Sequence, residues 1–270
     1  MPRRNIHEII KNAPFDVQNE CRRITHLFCD KLESRLPSLR EMIDISFEGM
    51  PMEFRGRTLS LNDFNETYGF DYFINYATDD VEKLIGYCEY ILNLCAQLEN
   101  NDYFPMEDGH EYVVESLQRT ILSCMDEVGQ TSASKDGLII FVERDPAALA
   151  VAEIVGEDLA FYVLEYNHHR LKGNLRRKQM LLKLFADDFE SKRKQLKSID
   201  GSVERQLGEL MNKFVRHDHS QTPYIATLNE SQLEDIYDDI YQLYLLGNLQ
   251  LDNLDRKKRM TTLLGEINGK

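Results

Sequence analysis

Apolar residues recur at three- and four-residue spacing through most of this chain, and that period admits helices and little else. It is plainest over residues 79–99, where Val81, Leu84, Ile85, Cys88, Ile91, Leu92, Cys95 and Leu98 fall in step. The same stripe is carried by Val114, Leu117, Ile121, Leu122 and Met125, and again by Leu182, Phe185, Phe189 and Leu196. A further one runs through Leu233, Ile236, Tyr237, Ile240, Leu243 and Tyr244. Only 14 Gly and 7 Pro punctuate 270 residues, which suits helices better than a turn-rich β protein. The contrary signal is LIIFV at 138–142, β-rich and too short for a helix. The expected fold is mainly α, with one short strand near 138–142.

Local signals subdivide the chain. The small polar run GQTSASKDG at 129–137 reads as a linker, giving an N-terminal helical region over 1–130 and a C-terminal helical domain over 131–270. Within the first, residues 1–12 start a short helix. A second covers 15–36 through Val17, Cys21, Ile24, Phe28 and Leu32 and stops at Pro37. Between 41 and 67 the period weakens around Gly49, Pro51 and Gly56, consistent with a hairpin or an irregular loop. Tyr68, Phe70, Tyr72, Phe73 and Tyr76 form an aromatic cluster. It could stack bases, but its acidic neighbours favour core or a protein interface. In the second region Asp145-Pro146 opens a helix reaching Tyr166, Asn174 caps another over 175–198, and Asn229 with Gln232 resembles a capping box. The tail after 254 reads as a fraying helix.

The formal charge of −14 does not steer the whole chain to nucleic acid, so any such contact must be local. One segment is suited to it. Between Arg170 and Lys197 lie ten Lys/Arg, among them Lys172, Arg176, Arg177 and Lys178, against Asp187, Asp188 and Glu190. The five Cys include no CxxC pair and read as small apolar residues in a reducing compartment. No apolar run approaches a membrane span, and the charged N-terminus lacks the apolar core of a signal peptide. A cytoplasmic protein without a membrane partner is expected.

Polar chemistry gathers at two helix ends. Over 203–219 an apolar stripe (Val203, Leu207, Leu210, Met211, Phe214, Val215) runs beside a polar one that ends in Asn212, Arg216 and His219, with His217 leaning to the packed side. The helix opened by Asp145-Pro146 ends in Asn167, His168 and His169. Cationic side chains there also fit the plain role of offsetting a C-terminal dipole. Arg22 and His26 lie one turn apart and read as a surface pair. No Walker A loop, GxGxxG, HExxH or GxSxG occurs, so no nucleotide or dinucleotide cofactor is expected. Adjacent His at 168 and 169 point apart on a helix, and no acid stands at ligand spacing, so no metal is expected. What this residue set suits is metal-free RNA cleavage: a His deprotonates the ribose 2′-hydroxyl and an Arg steadies charge on the phosphate.

The segments Tyr166-Asn167-His168-His169 with Lys172-Gly173, and Asn212-x-x-x-Arg216-His217, resemble a family of bacterial proteins whose C-terminal helical domain is HEPN-like. Some of its members are associated with abortive-infection phage defence. The resemblance covers about residues 138–262. Asp218 and His219 stand where that family reads two Asn. It implies a HEPN-like helical bundle, and with it an endoribonuclease site in which Arg216 stabilises phosphate charge. His168, His169, His217 or His219 would act as acid or base, while Asn167 and Asn212 orient substrate. Such domains commonly pair to build one cleft, so a homodimer or another protein partner is expected beside RNA. The Arg and His with four to six residues between them, which HEPN ribonucleases use, do not occur here. Two readings therefore stand: an RNA-directed defence effector, and a non-catalytic helical interaction or regulatory module in which the same groups satisfy helix ends.

Overall fold

The computed structural model describes residues 15–31, 37–70, 78–99, 108–216 and 224–269. Helices dominate them, and the only sheet among them has two strands. The chain divides into two compact units, residues 1–141 and 142–270.

In the first unit α1 (Val17–Cys29) starts at an Asp16 cap and α2 (Leu39–Ser46) at a Ser38/Glu41 capping box. After a 3-10 turn come α3 (Met52–Arg55) and α4 (Leu61–Tyr68), the latter capped by Ser60 and ended by Gly69 at φ 75°. The expected hairpin or loop over 41–67 is thus corrected to short helices. Four to eight residues are too few to show a period, and their caps do the specifying. Helix α5 (Val81–Glu99) is buried on nearly all sides, so it is the central helix of this unit. Helix α6 (Asp108–Glu127) buries Val114, Leu117, Ile121 and Met125. Of the described part of the aromatic cluster, Phe70 packs inward on Phe64 and Tyr90, Phe64 meets Phe47 and Phe54, and Tyr68 lies against Phe64 but is half exposed. Tyr72, Phe73, Tyr76 and the helix expected over 1–12 lie outside the described residues.

The expected linker is a hairpin. Strand β1 (Gln130–Lys135) turns at Asp136 and Gly137, with φ of 52° and 79°, into β2 (Leu138–Glu143). Asp-Gly is the pair a tight hairpin turn demands, because both central residues need positive φ. Side chains of α5 serve the outer edge of β2. The Asn93 amide takes both backbone groups of Ile139, at 2.7 and 2.8 Å, and Glu89 accepts from the Phe141 N–H at 2.7 Å. These bonds tie β2 as far as Phe141 to α5 within the first unit.

In the second unit α7 (Pro146–Ile154) starts at the Asp145 cap, and α8 (Glu157–Glu165) starts anew at Gly156. The single helix expected to Tyr166 is therefore two, broken where Val155 is extended. Helix α9 (Leu175–Ile199) carries the core through Leu181, Leu182, Phe185, Phe189 and Leu196. Helix α10 (Gly201–Leu210) returns along it and ends in a π-turn at Met211–Arg216. Helix α11 (Glu230–Asn268) opens with the Asn229/Gln232 capping box and runs parallel to α9. Lys178 meets Asp238, Asp188 meets Tyr244 and Lys192 meets Asn248. Its first half is core, and after Leu251 none of its described side chains is buried.

Candidate functional site

The Asn167-His168-His169 segment is a bend between α8 and α9, not a helix end. His168 is extended and pairs with Val142 in an antiparallel bridge, while the Glu143 N–H donates to the Asn167 carbonyl at 3.1 Å. His168 Nδ1 accepts from the Arg170 N–H at 3.2 Å and so caps a short turn at His169–Leu171. A ring nitrogen that accepts carries no proton, so this bond holds the tautomer protonated on Nε2. The His169 ring lies 4.4 Å from the His168 ring. Gly173, at φ 76°, turns the chain into the Asn174 cap of α9.

Beneath the bend lies a charged layer. Lys178 is buried, and its Nζ donates to Asp238 at 2.6 Å and pairs with Glu234 at 2.8 Å. It also sits 5.4 Å from the centre of the Tyr166 ring. The Tyr166 hydroxyl donates to the same Asp238 oxygen at 3.0 Å. Burial and the Asp238 carboxylate push that phenol far above its usual range. Burial works to raise Glu234, but the Lys178 ammonium and the Gly173 N–H hold its carboxyl below the ordinary value. Tyr241 stacks on Tyr166 at 4.1 Å, donates to the Val163 carbonyl and accepts from the Asn167 amide at 3.3 Å. Arg177 forms a two-pronged pair with Glu165, at 2.8 and 2.7 Å.

Arg216 belongs to a second layer. Its guanidinium donates to the Ala186 carbonyl at 2.8 Å and to Glu190 at 3.0 Å, and it reaches Asn212 at 3.5 Å. Glu190 also binds Arg193, whose Nε meets the buried Glu204. A Cβ on Gly208 would lie 3.0 Å from the Arg193 guanidinium, so glycine leaves that group its place. Lys192 joins Asp188 and Asn248 at 2.7 and 2.8 Å, and Tyr244 donates to the same Asp188 oxygen.

These positions separate the expected site into parts. Arg177 and Lys178 stand on the first turn of α9, next to the bend that carries Asn167 and His168, whereas Arg216 meets α9 at Ala186 and Glu190. Eight to twelve residues of helix put those levels about 12–18 Å apart. Within one chain the described residues do not join Arg216 to His168 or His169. His217 and His219 lie outside the described residues. Lys172 and Arg176 are exposed, as are Lys183, Lys194 and Lys197, while Arg177, Lys178, Lys192 and Arg193 are bound by carboxylates. The basic run is therefore half spent inside the unit.

The partners were the part that sequence reasoning missed. Glu234 and Asp238 stand one turn apart beside the Tyr237–Tyr241–Tyr244 stripe, a placement that marks acids facing a buried cation. Glu204 on the apolar side of α10 gives the same signal. No family model, no curated protein and no solved structure matches the chain.

Proposed function

We propose that the chain is a non-catalytic helical interaction module, with its C-terminal unit built on an internal frame of ion pairs. The observation that carries this reading is the state of Arg216. Both terminal nitrogens of its fork are engaged, one by a backbone carbonyl and one by a carboxylate, so its charge is met inside the fold and the two-pronged face that would grip a phosphate is already occupied. Lys178 is likewise sealed beneath Tyr166. The HEPN-like resemblance, with its link to phage defence, supports a regulatory place for such a module in a defence system. The competing reading, metal-free cleavage of RNA docked on Lys172, Arg176 and their exposed neighbours, requires Arg216 to leave these partners.

Total RNA incubated with the full chain in EDTA separates the two. The interaction reading expects no cleavage above a buffer control, and expects Arg216→Ala to lower stability alone. Fragments ending in 2′,3′-cyclic phosphate, lost by roughly a hundredfold or more in folded Arg216→Ala, would establish the nuclease reading instead.

A further inference from the structure

After Leu251, α11 leaves the core of its unit and continues from Asp252 to Asn268 without one buried side chain. An exposed helix of that length has to find its stabilisation outside its own core. It is also amphipathic. Met260, Leu263, Leu264 and Ile267 fall at i, i+3, i+4 and i+7, and they are 53, 46, 57 and 59 % exposed. Four cations, Arg256 to Arg259, precede this stripe, and Glu266 lies within it.

We propose that this segment pairs antiparallel with the same segment of a second copy of the chain. The inference deepens the interaction-module reading by naming the partner. Charge complementarity selects both the occupant and the direction. Centring the pair between Leu263 and Leu264 stacks Leu263 on the partner's Leu264 and Met260 on the partner's Ile267, and the two-fold axis repeats both layers. Arg259 and Glu266 are seven residues apart and border the same side of the stripe. In this register Arg259 faces the partner's Glu266, and Glu266 faces the partner's Arg259. The two cation runs then fall at opposite ends, about 18 Å apart along the axis. That exceeds the roughly 8 Å screening length of physiological salt. A parallel pair would instead set the eight cations side by side, at about the 10 Å spacing of packed helices.

Four half-exposed side chains per copy, with the stems around them, bury on the order of 1,000 Å² in total, the low end for a specific interface. The dimer is accordingly a reversible one, forming in the micromolar range.

Sedimentation equilibrium of the full chain from about 1 to 200 µM tests it. The wild type should pass from monomer to dimer across that range. Leu263→Glu/Leu264→Glu should stay monomeric with an unchanged melting temperature, because these side chains touch no core. Arg259→Glu should weaken the dimer about tenfold, and Arg259→Glu with Glu266→Arg should restore it. The native thiols are buried or half-buried, so an introduced one reports cleanly. Leu263→Cys should cross-link under mild oxidation, whereas Met260→Cys should not, since those two positions lie about 10 Å apart in an antiparallel pair. A wild type that stays monomeric throughout, a dimer undiminished in Leu263→Glu/Leu264→Glu, or equal cross-linking at 260 and 263 would overturn the proposal. The RNA assay is scored separately on Arg216, so a nuclease result and a monomer result are distinguishable.

Discussion

The two units solve the same packing problem with different chemistry. In residues 1–141 the core is apolar and aromatic, with neutral hydrogen bonds placed inside it: Tyr90 to Asn65 at 2.8 Å, and Thr25 with Tyr87 at 3.0 Å. In residues 142–270 three charged layers cross the core along α9, centred on Lys178, Lys192 and the Arg193/Arg216 pair. Charge balance tracks this difference. The first unit has 13 Lys/Arg against 25 Asp/Glu, the second 19 against 21. Near-neutrality in the second unit is what lets its cations find acids inside, and it is why Arg177, Lys178, Lys192 and Arg193 of the basic run are met by carboxylates of the same unit. Hydrophobic contacts tolerate sliding, whereas a buried ion pair fixes one register. The parallel α9–α11 pair is set by one such contact, Lys178 with Glu234 and Asp238, and by the Asp188–Tyr244 and Lys192–Asn248 hydrogen bonds further along.

The sharpest way to break the contrast is at Lys178. Lys178→Met removes a buried cation and leaves Glu234 and Asp238 facing a phenol without compensation. The expected loss is about 2–3 kcal/mol of unfolding free energy by urea titration, short of the full cost of a stranded buried charge because Asp238 is 47 % exposed. Hydrogen exchange should rise first across 175–199 and 230–251. Adding Glu234→Gln and Asp238→Asn should recover a large part, since the cost lies in the stranded carboxylates. A loss under 1 kcal/mol would show that the layer is dispensable.

Arg216→Ala comes next, at about 1.5–3 kcal/mol, the range for hydrogen bonds to charged groups. Arg216→Lys should recover only part, because an ammonium cannot span the Ala186 carbonyl and Glu190 as the planar fork does. Exchange measured at 186–190 and 211–216 localises the effect. In the first unit the matching experiment is milder. Tyr90→Phe removes one neutral bond to Asn65 and should cost about 1 kcal/mol.

Much of this architecture was legible beforehand, and the boundary of legibility has a physical meaning. Helices α5, α6, α9 and the start of α11 were readable because a long stripe repeats its message every turn. The Asp145-Pro146 and Asn229/Gln232 starts were readable because a cap is local chemistry. Residues 39–68 were not, since α2 to α4 are too short to repeat anything. The 129–137 hairpin was hidden by its small polar residues, although Asp136-Gly137 announced it. At the site, the placing of Asn167 and His168 after one helix and of Arg216 at the end of another could be read from position, as could the basic run that holds Lys178. What each group binds could not, because Lys178 and Asp238 are 60 residues apart and only the parallel packing of α9 on α11 brings them together. Burial of the thiols was expected from composition, and it pushes Cys95 and Cys124 up to about 12.

The smallest expected effect compares one cap from each unit. Glu41 of the first unit is held below its ordinary value by the Ser38 backbone N–H and by Lys31. Asp200, the cap of α10, is held at about 2 by the Ser202 hydroxyl, the Val203 N–H and Gln250. For both, the folded pKa lies below the unfolded one, so the contribution is present above the unfolded pKa and fades as pH falls through the folded one. For Asp200 that window runs from 3.8 down to about 2. Asparagine also caps helices well, so Asp200→Asn should change the melting temperature only slightly at pH 7. The wild type should hold steady against the variant from pH 7 to 5, lose ground below 4 and finish losing it near 2, so that the variant becomes the more stable of the two in acid. Glu41→Gln should behave alike from a higher starting point, since its ordinary value is 4.5. A wild type that instead gains on the variant toward low pH would show that protonation of Asp200 is linked to folding with the opposite sign.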